Sequence, residues 1–327
     1  MSETFLQAYG LFLAQMVTLL ILFGLFVVIL FRAVAETRNR STGHFTIRAL
    51  DREASLLATH GVPDLLGKAQ LKQKRKAAKQ KAKEKRPTVF VIDFHGDVKA
   101  SGTSRLAEEV NGILDLAQEG DQVVLRLESP GGSVAGYGLA ASHLVRLKEK
   151  GLRLTVAVDQ VAASGGYLMA VVAEQIWAAP FGVIGSIGVV ASMPNFKRFL
   201  DDKKVDFEQI TAGEYKRTLT LFGENTDQDR AKVQEEVDLI HQQFKDWVSR
   251  FRPQLDLVKV ATGEWWQGQK ALELDLIDCL GTSDQLLMDL AQQYRLYSIR
   301  WTPAPVKRGW LSKLTAQIRA FGVGVSS

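Results

Sequence analysis

Two stretches that turn from a strand into a helix decide the fold of this chain: QVVLRLESPGGSVAGYGL at residues 122–139 and RLTVAVDQVAASGGYLMA at residues 153–170. Each begins with a β-branched run that predicts a strand and continues into small and apolar residues at helical spacing. Thr88–Asp93 begins a similar unit, with a helix-like pattern at Ser104–Ala117. Because strands alternate with helices, the sequence indicates an α/β fold with a parallel sheet and right-handed crossovers.

Downstream of these units the apolar pattern has helical spacing. From Val233 to Phe251 the apolar positions are 4, 3, 4, 3 and 4 residues apart, which predicts one long amphipathic helix with Thr226 as a plausible N-cap.

The stretch 167–193 is apolar enough to suggest a membrane span, but it contains Glu174, a proline and glycines. A buried helix followed by a strand is the more economical interpretation.

Composition and charge exclude several classes of protein. The 327 residues carry 41 Lys+Arg against 36 Asp+Glu, and 46% are hydrophobic, too many for a wholly disordered chain. Residues 68–86 alone hold ten Lys/Arg and one Glu. The rest of the chain therefore carries 31 Lys+Arg against 35 Asp+Glu, a charge of −4. The globular part is therefore not a basic nucleic-acid-binding domain. The single cysteine, Cys279, excludes an intrachain disulfide and a Cys-cluster metal site.

The N-terminus predicts a membrane anchor. No residue that is charged at neutral pH lies between Glu3 and Arg32, and residues 11–31 are almost wholly apolar. As a helix this segment is about 31 Å long, the thickness of the hydrocarbon core of a bilayer. The alternative is a cleavable signal peptide, which would begin with basic residues and have a shorter apolar stretch. The retained transmembrane helix is the preferred interpretation.

A basic linker and a tail flank the predicted α/β domain. The Lys/Ala/Gln-rich run of residues 68–86 has no apolar stripe and predicts a solvated helical spacer, with anionic lipid headgroups as the alternative contact. It has no aromatic residue to stack on bases, so no nucleic acid is expected. Gly309–Phe321 is amphipathic and would pack on a subunit or at the membrane surface. The predicted organisation is a stub at 1–10, a transmembrane helix at 11–31, a basic linker at 32–86, the α/β domain at 87–300 and a tail at 301–327.

The two glycine turns suggest a site for acyl transfer. Taken alone, the PGG turn and the serine at 164 are more typical of an ordinary turn and a helix cap. In a parallel sheet, however, both turns would lie at the carboxyl ends of neighbouring strands, where such folds place their sites. The Ser164 hydroxyl would then face amide groups of both turns, and converging N–H donors beside a hydroxyl are what the oxyanion of a tetrahedral intermediate requires.

A serine nucleophile needs a base, and the residues alone leave that base open. His95 is the best of the five histidines, although it follows a strand that would place it on the interior side of the sheet. A lysine serves instead when burial lowers its pKa. Lys216 is one of many lysines, and its spacing does not distinguish it from a surface residue.

Taken in order, several segments resemble the signal peptide peptidase A family, most closely its SohB branch of membrane-anchored proteases. The resemblance spans about 87–300. It is carried by SPGGS at 129–133, AASGGY at 162–167, IGSIGV at 184–189, GEYK at 213–216 and the spaced residues from Gly268 to Gly281.

The resemblance implies a ClpP/crotonase-like spiral of ββα units acting on peptide substrates without a metal or another cofactor. It implies a homo-oligomeric ring, in which neighbouring subunits can supply the serine and the lysine of one site. It also implies a single-pass protein of the bacterial inner membrane facing the periplasm, whereas the arginines after residue 31 favour a cytoplasmic domain by the positive-inside rule. The implied site consists of Ser164 as nucleophile, Lys216 as general base, Ser186 as the lysine-orienting residue, and the amides of Gly132 and Gly165 as oxyanion donors, with that of Gly131 as an alternative.

Two other functions fit parts of the pattern. An acyl-CoA enzyme would use the same glycine-turn oxyanion hole, although the serine at 164 and the GEYK segment favour proteolysis. A membrane scaffold with an inactive dyad is the alternative that is not an enzyme. One residue departs from the family pattern: Asp275 stands where the family commonly has glycine, at a helix end that favours a left-handed conformation.

Overall fold

The computed structural model describes residues 16–20, 23–24, 43–50 and 86–304. The chain divides into two compact units. In the smaller, Met1–His44 with Thr302–Ser327, the described residues 16–20 and 23–24 are helical and exposed. The larger, Phe45–Trp301, holds the sheets and helices that build the site.

The main sheet has seven strands in the order β1-β10-β2-β3-β4-β6-β9. Every pairing from β10 through β9 is parallel, which confirms the predicted parallel α/β sheet. The inner strands are buried along most of their length, as expected of a parallel sheet covered on both faces. The strands are β1 (His44–Ala49), β2 (Thr88–His95), β3 (Gln122–Glu128), β4 (Arg153–Val158), β6 (Gln175–Ala178), β9 (Cys279–Leu280) and β10 (Arg295–Thr302).

A second, smaller sheet carries the residues that lead into the site. It contains β5 (Val161–Ala163), β7 (Val183–Gly185) and β8 (Trp265–Gln267) in the order β5-β7-β8. The pairing of β5 with β7 is parallel, and that of β7 with β8 is antiparallel. An isolated parallel bridge between Ser129 and Ala162 joins β5 to the turn after β3.

The prediction that both glycine turns lie at the ends of neighbouring strands of one sheet was wrong in one respect: the two strands belong to different sheets. Ser164 follows β5 of the small sheet, because the chain turns at Asp159 and Gln160 and starts a new strand after β4. The two turns still meet, since the bridge at Ser129 holds β5 beside the end of β3. The order β4–β5–helix is a ββα unit of the kind the resemblance implies.

The helices follow the predicted periodicity closely. The long helix begins behind Thr226, whose hydroxyl oxygen accepts the Asp229 N–H at 3.2 Å, while the Asp229 carboxylate accepts the Thr226 N–H at 2.8 Å. This reciprocal capping box confirms the predicted N-cap. The helices are α1 (Thr103–Leu116), α2 (Val134–Glu149), α3 (Gly165–Ala170), α4 (Lys197–Asp202), α5 (Asp227–Phe251), α6 (Leu257–Val260), α7 (Gly268–Glu273) and α8 (Ser283–Leu290).

Several predicted segments lie outside the described residues. These are most of the anchor at 11–31, most of the linker at 32–86 and the tail from 305 onward. Among the residues that are described, no helix combines the length and the hydropathy needed to cross a bilayer. Strand β1 lies inside the predicted linker, at the edge of the main sheet beside β10. Its six residues, HFTIRA, alternate between polar and apolar, a strand pattern that was overlooked when this region was predicted to be a linker.

Asp275 has φ of +59°, so the residue that stands in place of the family's glycine takes up the left-handed conformation expected there. It follows α7, where Leu274 is the C-cap residue. The Asp275 carbonyl oxygen accepts a 2.9 Å hydrogen bond from the buried Arg252 side chain, which helps to hold this strained turn in place.

Candidate active site

Ser164 stands at the tip of a sharp turn between β5 and α3. Its φ of 52° and ψ of −119° lie where side chains other than glycine are seldom found, so the surrounding structure must hold it there. It does so through two backbone bonds: the Ser164 N–H donates to Gly185 O at 2.8 Å, and Ser164 O accepts from the Leu168 N–H at 2.9 Å. The half-buried side chain makes no capping bond to α3. This leaves the hydroxyl available for chemistry.

The two glycine turns meet at this serine, as predicted. A Cβ placed on Gly131 would lie 2.7 Å from the Ser164 Cβ and 2.7 Å from the Gly165 nitrogen. Gly131 also has φ of +87°, a conformation that L side chains rarely adopt. A glycine at 131 is therefore needed both for its backbone angle and for the close approach of the two turns.

The amide groups at the meeting point are not equivalent. The Gly131 N–H donates to the Ser129 hydroxyl oxygen at 3.1 Å and is occupied. Within residues 86–304, the N–H groups of Gly132 and Gly165 have no hydrogen-bond acceptor. Both residues line the same cavity as Ser164. Of the two alternatives in the first turn, the geometry favours Gly132 as an oxyanion donor.

Ser186 lies beside Ser164. Strands β5 and β7 pair in register, with Ala163 opposite Gly185. The residues that follow them, Ser164 and Ser186, therefore leave the two strands at the same level. Ser186 has φ of +52°, and its N–H donates to Glu264 O at 2.6 Å. Both serines line the cavity.

The cavity has a volume of about 940 Å³ and is open to solvent on one side. One wall of the cavity is formed by α5, which contributes four apolar and four polar side chains. The residues of α5 that line it are Gln234, Val237, Asp238, Ile240, His241, Gln243, Phe244 and Trp247.

Lys216 is not part of this cavity. It lies in the loop between α4 and α5, where its side chain is exposed. Within the described part of the chain its amino group has no hydrogen-bond or ion-pair partner, and its N–H donates to Gly213 O at 3.2 Å. The structure therefore brings together Ser164, Ser186, Gly132 and Gly165 in one subunit, and leaves Lys216 apart from them.

The histidine alternative lies elsewhere. His95 ends β2 with its side chain 70% exposed, so the expectation that it faces the interior was wrong. Its Nδ1 is 3.2 Å from the Glu128 carboxylate, and it does not line the cavity. The buried part of β2 ends at Phe94, and His95, the last residue of the strand, lies beyond it.

Sequence reasoning missed three residues of this region. His241 lines the cavity from α5, and its helical spacing from Val237 and Phe244 was the signal that it shares their face. Ser129 and Tyr137 are both fully buried beneath the first glycine turn, where their hydroxyl groups are hydrogen-bonded at 2.7 Å. Tyr137 showed in the sequence only as an apolar position of a helix.

A strained serine beside two unpartnered amides, at the edge of a cleft, is an arrangement typical of serine hydrolases. Residues 4–144 match the sequence model of the N-terminal part of peptidase family S49, and residues 146–296 match that of peptidase family S49 itself. The chain belongs to peptidase family S49 and is a serine protease.

Relatives of this chain are named as proteases. The probable protease SohB of Haemophilus influenzae is 42% identical to it, over 99% of this chain and 96% of the relative. The probable protease SohB of Buchnera aphidicola subsp. Acyrthosiphon pisum is 48% identical, over 72% of this chain and 69% of the relative. Among solved structures, a mutant 1510-N membrane-bound stomatin-specific protease in complex with a substrate peptide has a TM-score of 0.38 at 14% identity, covering 71% of this chain and 100% of the other.

Proposed function

We propose that this protein is a membrane-anchored endopeptidase in which Ser164 is the nucleophile and Lys216 the general base. The observation that carries the proposal is the strained Ser164 turn, set beside the unpartnered amides of Gly132 and Gly165. Ser186 would orient the lysine amine from its place next to Ser164. The ClpP/crotonase-like spiral remains part of the proposal, supported by the ββα order of β4, β5 and α3.

The reaction follows from these roles. The Lys216 amine takes the proton from the Ser164 hydroxyl as Oγ attacks the peptide carbonyl, and the N–H groups of Gly132 and Gly165 stabilise the oxyanion. The C–N bond then breaks while the lysine ammonium returns the proton to the leaving amine. Water attacks the acyl-enzyme with the same amine as base, the ester C–O bond breaks, and the proton passes to Oγ.

The site is incomplete within one subunit, because Lys216 lies outside the cavity. We infer that a second copy of the chain supplies it. Lys216 belongs to a segment at residues 190–222, here called the apolar arm, which exposes large hydrophobic side chains. A surface of this kind marks an interaction site, and a neighbouring copy would cover it while bringing Lys216 to Ser164. The exposed side chains are Val190, Met193, Phe196, Phe199, Val205, Phe207, Ile210, Tyr215, Leu221 and Phe222.

The substrates we propose are extended, largely apolar peptides such as released signal peptides. The apolar side chains within the α5 wall support this, because a peptide that carries apolar side chains would bury them against Val237 and Phe244. We further propose that residues 11–31 hold the protease in the bacterial inner membrane, where such peptides are released. The apolar character of that segment supports the anchor.

Mixing two inactive variants tests the shared site. Ser164→Ala and Lys216→Ala of the full chain in detergent should each abolish cleavage of a peptide library. When the two are unfolded, mixed in equal amounts and refolded together, about a quarter of the sites would pair an intact serine with an intact lysine, restoring that share of activity. Inactivity of the mixture, with assembly intact, would assign the base to the same chain. Full turnover by the Ser164→Ala variant would remove the proposal altogether.

A further inference from the structure

A buried chain of hydrogen bonds lies beneath the first glycine turn. The Gly131 N–H donates to Ser129 Oγ at 3.1 Å, the Ser129 hydroxyl donates to Tyr137 Oη at 2.7 Å, and the Tyr137 hydroxyl donates to the Asp97 carbonyl oxygen at 2.8 Å. The Ser129 and Tyr137 side chains are fully buried. Three consecutive bonds therefore connect the turn at Gly131 to the loop after β2.

The direction of this chain is determined by its two ends. The Gly131 N–H can only donate and the Asp97 carbonyl can only accept, so each hydroxyl between them accepts one bond and donates one. Burial raises the pKa of Tyr137, so its hydroxyl keeps its proton and remains a donor. Bonds that run in one direction polarise one another and strengthen the whole chain.

The same tyrosine also contacts the second glycine turn. A Cβ placed on Gly165 would lie 2.6 Å from Tyr137 Cδ2, so the ring packs directly against the Gly165 backbone. The backbone of Ser129 connects the turns as well: its N–H donates to Val161 O at 2.8 Å, and its carbonyl accepts from the Ala163 N–H at 3.0 Å. Tyr137 and Ser129 thus touch both turns of the site.

We propose that Tyr137, acting through Ser129, is a positioning residue that fixes the two oxyanion donors relative to each other. Its hydroxyl fixes the peptide of Gly131, and so aims the next N–H, that of Gly132. Its ring supports the backbone of Gly165. The inference rests on the proposed function, because it takes Gly132 and Gly165 as the donors.

The expected consequence is a loss in the chemical step and not in binding. An oxyanion donor contributes about 10²–10³ to kcat when it is aimed at the developing charge, and a small displacement loses part of that. Tyr137→Phe keeps the ring against Gly165 but leaves the Ser129 hydroxyl without its acceptor, and the Asp97 carbonyl keeps only the Ala100 N–H, at 2.9 Å, as a donor. We expect kcat to fall about 10-fold to 100-fold, with KM unchanged and the pH profile unmoved.

A matched control comes from the second buried tyrosine. Tyr167 is also fully buried, and its hydroxyl donates to the Leu276 carbonyl oxygen at 2.8 Å, away from the glycine turns. Tyr167→Phe removes a similar hydrogen bond and should lower the melting temperature to a similar extent while leaving kcat close to wild type. A common loss of kcat in both variants would mean that lost stability, and not positioning, is the cause.

The experiment measures kcat and KM for a fluorogenic apolar peptide, and inhibition by a peptide aldehyde of the same sequence. Tyr137→Phe, Ser129→Ala and the double variant should weaken aldehyde inhibition in proportion to kcat/KM, because the hemiacetal oxygen occupies the oxyanion position. The double variant should lose no more than Ser129→Ala alone, since both break one chain. Ser129→Ala also provides the test if Tyr137→Phe does not fold.

The inference would be overturned if Tyr137→Phe and Ser129→Ala both folded and both had the kcat and the aldehyde inhibition of the wild type. If Ser164→Ala is inactive in the same assay, that result leaves the proposed function standing. Residual wild-type turnover in Ser164→Ala would instead remove the proposed function and this inference with it.

Discussion

Ser164 and Ser186 have the same φ of +52° and leave paired parallel strands at the same level, joined by the 2.8 Å bond from the Ser164 N–H to Gly185 O. Two non-glycine residues held side by side in this conformation are unusual, and such strain concentrates at functional sites. Their hydroxyl groups share one cavity. An amine that enters this cavity to meet the first serine would therefore also meet the second.

Two substitutions at Ser186 separate its hydroxyl from its backbone conformation. Ser186→Ala and Ser186→Gly both remove the hydroxyl, but glycine adopts the +52° conformation without strain. If Ser186 orients the lysine, both variants should lose about 10-fold or more in kcat at unchanged KM, as expected for a misplaced general base. The steady-state kinetics of both variants decide the matter. Wild-type kcat in Ser186→Gly would show that only the backbone is needed.

The α5 wall can be tested for its part in substrate preference. Val237 is half-buried and lines the cavity, so Val237→Asn would place an amide against the apolar side chains of the substrate. We expect KM for apolar peptides to rise about 10-fold with kcat unchanged, the amount that a lost apolar contact is worth in a pocket. Leu239 is 59% exposed and does not line the cavity, which makes Leu239→Asn the matched control. An equal rise in KM in both variants would indicate a change in α5 as a whole.

The sequence was sufficient for features that depend on local chemistry. The N-cap at Thr226 and the long α5 followed from a side-chain oxygen and a helical period, both readable within a few residues. The meeting of Ser164 with the turn at Gly131 was also predicted, because both turns follow strands of a parallel fold and the carboxyl ends of such strands lie together.

Features that depend on distant contacts were not predictable in this way. Strand β5 belongs to a second sheet because it pairs with β7, where Ala162 lies opposite Ile184, 22 residues later in the sequence. Ala162 also forms a bridge to Ser129, 33 residues earlier. The role of Tyr137 depends on a bond to the Asp97 carbonyl, 40 residues away. The position of Lys216 relative to Ser164 depends on the neighbouring copy in our proposal, and no pattern within one chain encodes that directly.

A buried carboxyl predicts how stability depends on pH. Glu109 of α1 is 2% exposed, and burial raises its pKa to about 7, although the Trp301 N–H donates to Oε1 at 3.1 Å and Arg105 lies 3.5 Å away. Because the pKa of Glu109 in the folded state exceeds its ordinary value of 4.5, protonation of this carboxyl stabilises the folded state. The stabilisation is full below pH 4.5 and is lost as the pH rises through about 7.

Glu109→Gln keeps an acceptor for Trp301 but does not titrate. Relative to this variant, the wild type should lose on the order of 3 kcal/mol of unfolding free energy between pH 4.5 and pH 8. Urea unfolding of both proteins across this range measures the difference. A constant difference at every pH would mean that the carboxyl titrates alike in the folded and unfolded states.

The close approach of the glycine turns gives a prediction with a matched pair of glycines. Gly131→Ala would force a Cβ to within 2.7 Å of the Ser164 Cβ, so we expect activity to be lost and the free energy of unfolding to fall by about 1–3 kcal/mol. Gly151 has nearly the same φ, +83° against +87°, but nothing lies within 4 Å of its Cβ position. Gly151→Ala therefore carries the backbone strain without the overlap, and should lower stability by about 1 kcal/mol with kcat close to wild type. Urea unfolding and peptide cleavage, measured on both variants, separate the two effects. Comparable activity in the two variants would show that Ser164 and the first turn can move apart without consequence for the reaction.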